Sequence, residues 1–264
     1  MTSERMKAIV QDAYGSADVL TLRVIERPEV RDDEVRIQVV AAGVDQGALH
    51  LMTGVPYVMR FLGTGLRAPK TRVPGTNVAG RVHAVGRGVT RFQQGDEVYG
   101  TCKGAFAEYT CAREDQLAPK PVNITFEHAA GVPHAGVPAL QALRDHGEVQ
   151  LGQHVLIIGA SGAVGSMAVQ LAKAYGAHVT GVASTSNVDM VNVLGADRVI
   201  DYKHDDFADG TRYDLILDTG GNNTLSHLRR ALTPRGRSSS SAAKEADAGS
   251  AWGVSSEPSR CLRS

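Results

Sequence analysis

Short runs of alternating or apolar residues, broken by Gly, Pro and Asp, fill the chain from Met6 to about Leu117. An alternation with a period of two is typical of strands that have one buried face, and the interrupting residues are typical of turns. The pattern predicts strands at 7–10, 34–41, 80–85, 97–100 and 105–110. We therefore assign residues 1–133 to a compact β-rich domain.

After Pro133 the pattern changes to strands that alternate with helices. Continuous apolar runs are typical of strands covered on both faces, and apolar residues three and four positions apart are typical of helices. The predicted strands are 155–158, 179–183, 199–202 and 215–218, and the predicted helices are 164–175, 188–194 and 225–232. Right-handed connections give such elements an α/β fold with a doubly wound parallel sheet of Rossmann type, assigned to residues 134–236.

Residues 237–264 break this pattern, because they are rich in Ser, Ala, Gly and charged side chains. Such a segment buries too little apolar surface to offset its ordering entropy, so we predict that it is disordered. A Rossmann sheet has six strands in the order 3-2-1-4-5-6, and only the first four are predicted before Arg237. The sheet is therefore expected to be incomplete at the C-terminus, with Leu215–Leu217 at an uncovered edge.

The serine run Ser238–Ser241 offers an explanation for this tail. Serine codons of the TCN type, read one base upstream, become NTC and encode Phe, Leu, Ile or Val, while alanine codons can become glycine codons. Ser238–Ser241, Ala242 and Ala243 would then encode four apolar strand residues and two glycines. We hypothesise that a frameshift near Gly236 replaced the native end, which the coding DNA would test.

Composition excludes several classes of function. The 264 residues carry a formal net charge of zero and 5% aromatic side chains, so there is no basic surface for nucleic acid. No apolar run reaches the roughly 18 residues that a membrane span needs, and the N-terminus has no signal core, so we expect a cytoplasmic protein. Cys102, Cys111 and Cys261 lack the spacing of a zinc site or of a disulfide framework.

The motif HVLIIGASGAVGSM (154–167) places three glycines between a buried strand and an amphipathic helix. In such a turn the first glycine permits the sharp bend, the second lets the backbone approach a pyrophosphate, and the third allows close packing of helix and strand. The helix N-terminus attracts the phosphates. We predict dinucleotide binding, rather than an ordinary tight turn, by Gly159, Ser161, Gly162, Ala163, Val164 and Gly165.

The end of the second Rossmann strand indicates which cofactor is bound. An Asp or Glu there would hold the ribose hydroxyls of NAD and repel an additional phosphate. Residues 183–187 read ASTSN and contain no acid, so NADPH is favoured, with Ser184 and Thr185 supplying hydroxyl groups. The alternative is that these two residues only form a polar turn.

Five further motifs follow one another in a fixed order. They are AAGVDQGALHLMTG (41–54), VPGTNVAGRVHAVGRGVTRFQQGDEVYG (73–100), GAFAEY (104–109), AAGVPHAGVPALQAL (129–143) and LGADRVIDYKHDDF (194–207). With the glycine turn, they resemble the quinone oxidoreductase branch of the medium-chain dehydrogenase/reductase superfamily. The resemblance implies a GroES-like catalytic domain followed by a Rossmann domain, a small carbonyl or quinone substrate, and a homodimer in an intact form.

The resemblance also identifies candidate site residues. Ser184, Thr185 and Tyr202 match positions that hold the adenosine ribose and its phosphate in relatives, and Lys203 is a possible charge partner. On the substrate side, relatives carry an Asn, a Tyr and a Thr at the positions of Asp45, His50 and Pro138. Asp45 could orient a substrate group, and His50 could deliver a proton to the reduced oxygen. Alternatively, these are a loop acid and an incidental histidine.

Zinc-dependent relatives of this superfamily carry a Cys at the position of Asp45, and a His and a Glu at those of Thr76 and Asn77. Segment 131–143, which should supply a third ligand, contains no Cys. A catalytic zinc needs three protein ligands, so we expect none, and we interpret His50, His83 and His134 as scattered histidines rather than ligands. Two other functions stay open, namely a non-catalytic NADP-binding protein and a zinc alcohol dehydrogenase.

Overall fold

The structure, a computed structural model, describes residues 4–58, 60–240 and 262–263. It divides into two compact units, Met1–His134 and Ala135–Ser264. Among the described residues no helix combines the length and the apolar character needed to cross a bilayer.

The described residues of the first unit form seven strands and two complete α-helices. The hairpin is formed by β1 (Arg5–Val10) and β2 (Thr21–Glu26), and the antiparallel sheet has the order β6-β3-β4-β5-β7. The sheet strands are β3 (Glu34–Gly43), β4 (Asn77–Val85), β5 (Glu97–Thr101), β6 (Tyr109–Arg113) and β7 (Leu117–Pro119), and the helices are α1 (Gln46–Thr53) and α2 (Phe126–Gly131). A third helix, α3 (Pro133–Leu140), begins at the end of this unit.

Three strands of this unit differ from the prediction, since β6 is displaced along the chain and β2 and β7 were not predicted. The strand expected at 105–110 is found at Tyr109–Arg113, because the backbone of Ala105 and Phe106 bonds instead to the loop at Pro74 and Gly75. β2 was not predicted at all. Almost all of its side chains are exposed, so it lacks the buried alternate positions on which the prediction depends.

The second unit is a sheet of the order β10-β9-β8-β11-β12-β13. Its first strands are β8 (His154–Ile158), β9 (His178–Ala183), β10 (Arg198–Asp201) and β11 (Tyr213–Asp218), connected by α4 (Ala163–Ala174), α5 (Val188–Val193) and α6 (Leu225–Ala231). All pairs among these four strands are parallel. Successive residues of β8 enter two different hydrophobic clusters, Val155 and Ile157 one and Leu156 and Ile158 the other, so the sheet is covered on both faces as predicted.

The prediction of disorder from Arg237 onward is wrong for residues 237–240. These residues form the end of β12 (Leu232–Ser240), which pairs in parallel with β11, and β13 (Leu262–Arg263) pairs antiparallel with β12. Leu215 lies opposite Arg237 and Leu217 opposite Ser239, so the expected uncovered edge is occupied. A sheet ladder is made by backbone groups, which serine supplies as well as valine does. Residues 241–261 and 264 lie outside the described residues.

Candidate functional site

The glycine turn follows β8 directly, and its first glycine is required by the backbone. Gly159 has φ +79°, a left-handed conformation that side chains with a Cβ rarely adopt. The hydroxyl of Thr219, at the end of the neighbouring strand, donates to the Ile158 carbonyl over 2.8 Å. A Cβ on Gly159 would lie 2.5 Å from that hydroxyl oxygen. The bend is thus fixed by its own backbone and by β11.

Gly162 and Gly165 have different surroundings. Gly165 is buried in the first turn of α4, where a Cβ would lie 2.1 Å from the Gly159 carbonyl oxygen. Gly162 is exposed, has an ordinary φ of −75°, and a Cβ there would meet only the Gly159 oxygen at 3.3 Å. The protein itself therefore demands a glycine at 165, whereas a Cβ at 162 would be tight against one backbone oxygen only.

The N-terminus of α4 begins at this open position. Gly162 is its N-cap and no side chain caps the helix, whose first-turn N–H groups have no partners within the helix. The residues after it, Ala163 and Val164, present their backbone at an exposed to half-buried surface. The arrangement supplies free N–H donors and the positive end of a 12-residue helix dipole, which together suit an anion such as a phosphate.

Asn187, which was not singled out from the sequence, connects the two loops of the predicted cofactor site. Its Nδ2 atom donates to the hydroxyls of Ser161 and Ser184, each over 3.2 Å. Ser184 follows β9, and Ser161 belongs to the glycine turn after β8. Parallel strands end at the same edge of a sheet, which explains why these distant hydroxyls meet.

An acid does lie close to this end of β9, although it comes from β10. Asp201 accepts a hydrogen bond from the Thr185 hydroxyl, which is the largest cause of the lowered pKa of Asp201. Its carboxylate also accepts from the Lys203 backbone N–H over 3.0 Å. Tyr202, between them, donates its backbone N–H to the Ala183 carbonyl and leaves its side chain 61% exposed.

In the first unit, Asp45 is the N-cap of α1 and accepts three hydrogen bonds. Its Oδ1 accepts from the Ala48 N–H over 2.8 Å, and its Oδ2 accepts from Asn77 Nδ2 over 2.7 Å. The ring Nδ1 of His134 lies 2.6 Å from the same Oδ2. Asp45 follows β3, Asn77 begins β4 and His134 is in α3, so three separate segments meet here. We call Asp45, Asn77 and His134 the polar cluster.

The polar cluster holds Asp45 in its charged form. The hydrogen bond from His134 is the largest cause of the lowered pKa of Asp45, partial burial opposes it, and the bonds from Ala48 and Asn77 lower the pKa further. The sequence did not predict that His134 contacts Asp45. Sequence spacing could not reveal the contact, since 89 residues separate His134 from Asp45.

His50 lies on α1, and its ring contacts the backbone of the following loop rather than the polar cluster. Its Nδ1 lies 2.6 Å from the Val55 carbonyl oxygen, which can only accept, so Nδ1 carries a proton. In neutral His50 the other nitrogen, Nε2, is then a hydrogen-bond acceptor. His50 can therefore give up a proton from Nε2 only when the ring is charged.

Comparisons with known proteins agree with this geometry. Residues 31–122 match the alcohol dehydrogenase GroES-like domain family, and residues 163–255 match the zinc-binding dehydrogenase family. The chain is 34% identical over 234 residues to the chloroplastic quinone-oxidoreductase homolog of Spinacia oleracea, covering 82% of this chain and 69% of that protein. The structure of the quinone oxidoreductase from Coxiella burnetii has a TM-score of 0.80 and 33% identity, over 90% of this chain and 75% of that one.

The chain belongs to the quinone oxidoreductase-like branch of the medium-chain dehydrogenase/reductase superfamily. It is also 39% identical over 232 residues to the chloroplastic NADPH-dependent alkenal/one oxidoreductase of Arabidopsis thaliana. That alignment covers 83% of this chain but only 58% of the relative, so the chain spans less than two thirds of that protein.

Two residues of the polar cluster, Asp45 and Asn77, stand where the resemblance described above puts a Cys and a Glu in zinc-dependent relatives. Asp45 and Thr76 fill two of the positions at which zinc-dependent relatives carry ligands, and Asn77 follows Thr76 directly. Gly43 lies against Asn77, since a Cβ there would be 3.0 Å from the Asn77 Cβ. His134 contacts Asp45 from α3. The sequence alone identified Asp45 and Asn77 as departures from the zinc pattern. The contact of His134 with Asp45 became visible only in the fold.

Proposed function

We propose that the chain is an NADPH-dependent oxidoreductase that transfers hydride to a quinone, an enone or a similar small carbonyl electrophile without a catalytic zinc. The supporting observation is the glycine turn, where Gly162 is open to solvent and no side chain caps α4. The relatives named above include an NADPH-dependent alkenal/one oxidoreductase and quinone oxidoreductases. Bound NADPH would supply the hydride.

The described residues fit NADPH at both ends of its adenosine half. The first-turn N–H groups of α4 would hold the pyrophosphate, and Gly162 leaves the space that a Cβ would fill. Ser184 and Thr185 would hold the ribose phosphate, with Tyr202 beside them. Asp201 is an acid at this place, but its carboxylate is engaged by Thr185, and Lys203 adds a positive charge two residues along.

The polar cluster supports chemistry without zinc. Both oxygens of Asp45 already accept hydrogen bonds, Oδ1 from the Ala48 N–H over 2.8 Å and Oδ2 from the Asn77 amide over 2.7 Å. An amide N–H donor repels a cation, and neither a threonine hydroxyl nor an asparagine amide is an ordinary zinc ligand. The residues at the zinc positions therefore do not fit the metal.

NADPH oxidation with a simple enone and with a benzoquinone tests the proposal. We expect turnover with NADPH and no stoichiometric zinc in the purified protein. Binding of NADPH without turnover would favour the non-catalytic protein instead, and stoichiometric zinc would favour an alcohol dehydrogenase. The homodimer and the cytoplasmic location stay predictions from sequence.

Cofactor preference is a separate test of Ser184 and Thr185. We expect tighter binding of NADPH than of NADH, and reversal or loss of this preference in Ser184→Asp, because a second carboxylate repels the ribose phosphate. Asp189→Asn, an acid on α5 outside the predicted phosphate site, is the matched control. Preference of the unmodified protein for NADH would show that these residues are assigned wrongly.

A further inference from the structure

The polar cluster contains a carboxylate–imidazole pair, formed by Asp45 and His134. Only Asp45 was among the predicted site residues. His134 Nδ1 lies 2.6 Å from Asp45 Oδ2, and the two side chains are 34% and 19% exposed. A carboxylate fixed against one ring nitrogen orients the imidazole and balances its positive charge when it is protonated. The other nitrogen, Nε2, is then the atom that can exchange a proton with a ligand.

Two observations indicate that this pair serves a ligand rather than the fold. The Asn77 side chain is 2% exposed, and its Oδ1 is buried without a hydrogen-bond partner among the described residues, as is Thr76 Oγ1. Buried polar atoms without partners are rare and costly. We therefore take these two atoms as a sign that the cluster serves a bound ligand. Val44, which precedes Asp45 in the chain, and Leu49 on α1 are 82% and 43% exposed, so the segment that carries Asp45 also presents apolar surface.

We infer that His134, positioned by Asp45, is the proton donor that completes reduction of an α,β-unsaturated carbonyl compound, a role that rests on the proposed function. The substrate takes up a hydride at its β-carbon, which forms a new C–H bond while NADPH is oxidised to NADP⁺. The hydride brings its electron pair into the new bond, and the π pair of the broken C=C double bond moves onto the α-carbon and the carbonyl oxygen, so that the substrate becomes an enolate. The proton on Nε2 of charged His134 then moves to the enolate α-carbon, and neutral His134 regains a proton from water.

Asp45 acts through His134 in this scheme, and Asn77 acts through Asp45. The Asn77 amide and the Ala48 N–H hold the carboxylate in place over 2.7 and 2.8 Å, so that it faces the ring. Asp45 and Asn77 are therefore positioning residues. His50, whose Nδ1 is bound to Val55, is the competing candidate for the donor.

His134→Asn is the decisive variant, because an asparagine amide can replace Nδ1 in the contact with Asp45 but has no titrating group. An enone and a nitroalkene, used as two substrates, separate proton donation by His134 from a merely structural role. An enone needs a proton after hydride transfer, whereas a nitroalkene gives a nitronate anion that leaves and is protonated by water. We expect kcat with the enone to fall by about 100-fold or more, with kcat for the nitroalkene and the affinity for NADPH nearly unchanged. His134→Gln repeats the test if the asparagine variant does not fold.

The matched control is His128→Gln, an exposed histidine on α2 of the same unit, which should leave both activities unchanged. An NMR measurement adds a readout without turnover. The ring Nδ1 proton of His134 should resonate far downfield, and this signal should vanish in His134→Asn and in Asp45→Asn.

Equal loss with both substrates, or loss with neither, would overturn the assignment of His134. Selective loss of the enone activity in His50→Asn, with His134→Asn unaffected, would assign the proton to His50 instead. Failure of the unmodified protein to reduce either substrate, despite binding NADPH, would contradict the proposed function itself.

Discussion

The glycine turn and the polar cluster are built in opposite ways. The turn at Gly159–Gly165 is one continuous segment whose geometry is imposed by its backbone. The polar cluster joins side chains from three segments, and its contacts are hydrogen bonds to the single carboxylate of Asp45. A site made from local backbone carries its signature in the sequence, whereas a site made from distant side chains does not.

The two sites also differ in what holds them. Close packing fixes the turn, since the Gly165 position touches the Gly159 backbone. Charge and hydrogen bonding fix the polar cluster, which keeps Asp45 ionised and leaves Asn77 Oδ1 without a partner in the described part of the chain. Substitutions in the turn should therefore affect folding or cofactor binding, and substitutions in the cluster should affect proton chemistry.

The largest effect is expected from Gly165→Ala. The new Cβ would lie 2.1 Å from the Gly159 carbonyl oxygen, and neither backbone can move without separating α4 from β8. We expect a loss of roughly 3 kcal/mol, which lowers the melting temperature by about 6–12 °C. Gln170→Ala, at an exposed position of the same helix, is the control in thermal unfolding. An unchanged melting temperature would mean that packing does not fix the turn.

A smaller and more selective effect is expected from Gly162→Val. The site has an ordinary φ, and a Cβ would be tight against the Gly159 oxygen alone, at 3.3 Å, so the melting temperature should fall less than in Gly165→Ala. The side chain would, however, hold a pyrophosphate away from the N–H donors of α4, so NADPH affinity should fall by about 100-fold or more, or roughly 2.7 kcal/mol. Fluorescence titration of NADPH measures this. Unchanged affinity would show that the turn has only a structural role.

The smallest effect is expected from Asp45→Asn on stability. The pKa of Asp45 is lowered in the folded protein, so its ionised form stabilises the fold above the unfolded value of about 3.9. That contribution, on the order of 1 kcal/mol, should disappear as the pH falls below about 4. Urea unfolding of the unmodified protein and of Asp45→Asn between about pH 6 and 3 should therefore show stabilities that converge as the pH falls. Glu29→Gln, which changes an exposed acid, is the control and should show no such convergence. A difference in stability that does not change with pH would show that Asp45 acts through packing rather than through its charge.

Several features of this protein follow from its sequence alone. The strands β8, β9, β10 and β11 and the helices between them were predicted because buried strands and amphipathic helices have distinct periods. The family could be recognised because its motifs are short and continuous. The conformations of Gly159 and Gly165 were predictable for the same reason, since a glycine requirement is a local property of the backbone.

Other features were decided by the tertiary structure. β12 forms despite its serines, because β11 offers a ladder of backbone groups that no local composition reveals. Asn187 bridges Ser161 and Ser184 because parallel strands end at one edge of the sheet. His134 reaches Asp45 across 89 residues of sequence, a contact within the first unit that no local pattern reveals. A local pattern encodes backbone conformation, but the partner of a polar side chain is chosen by the whole fold.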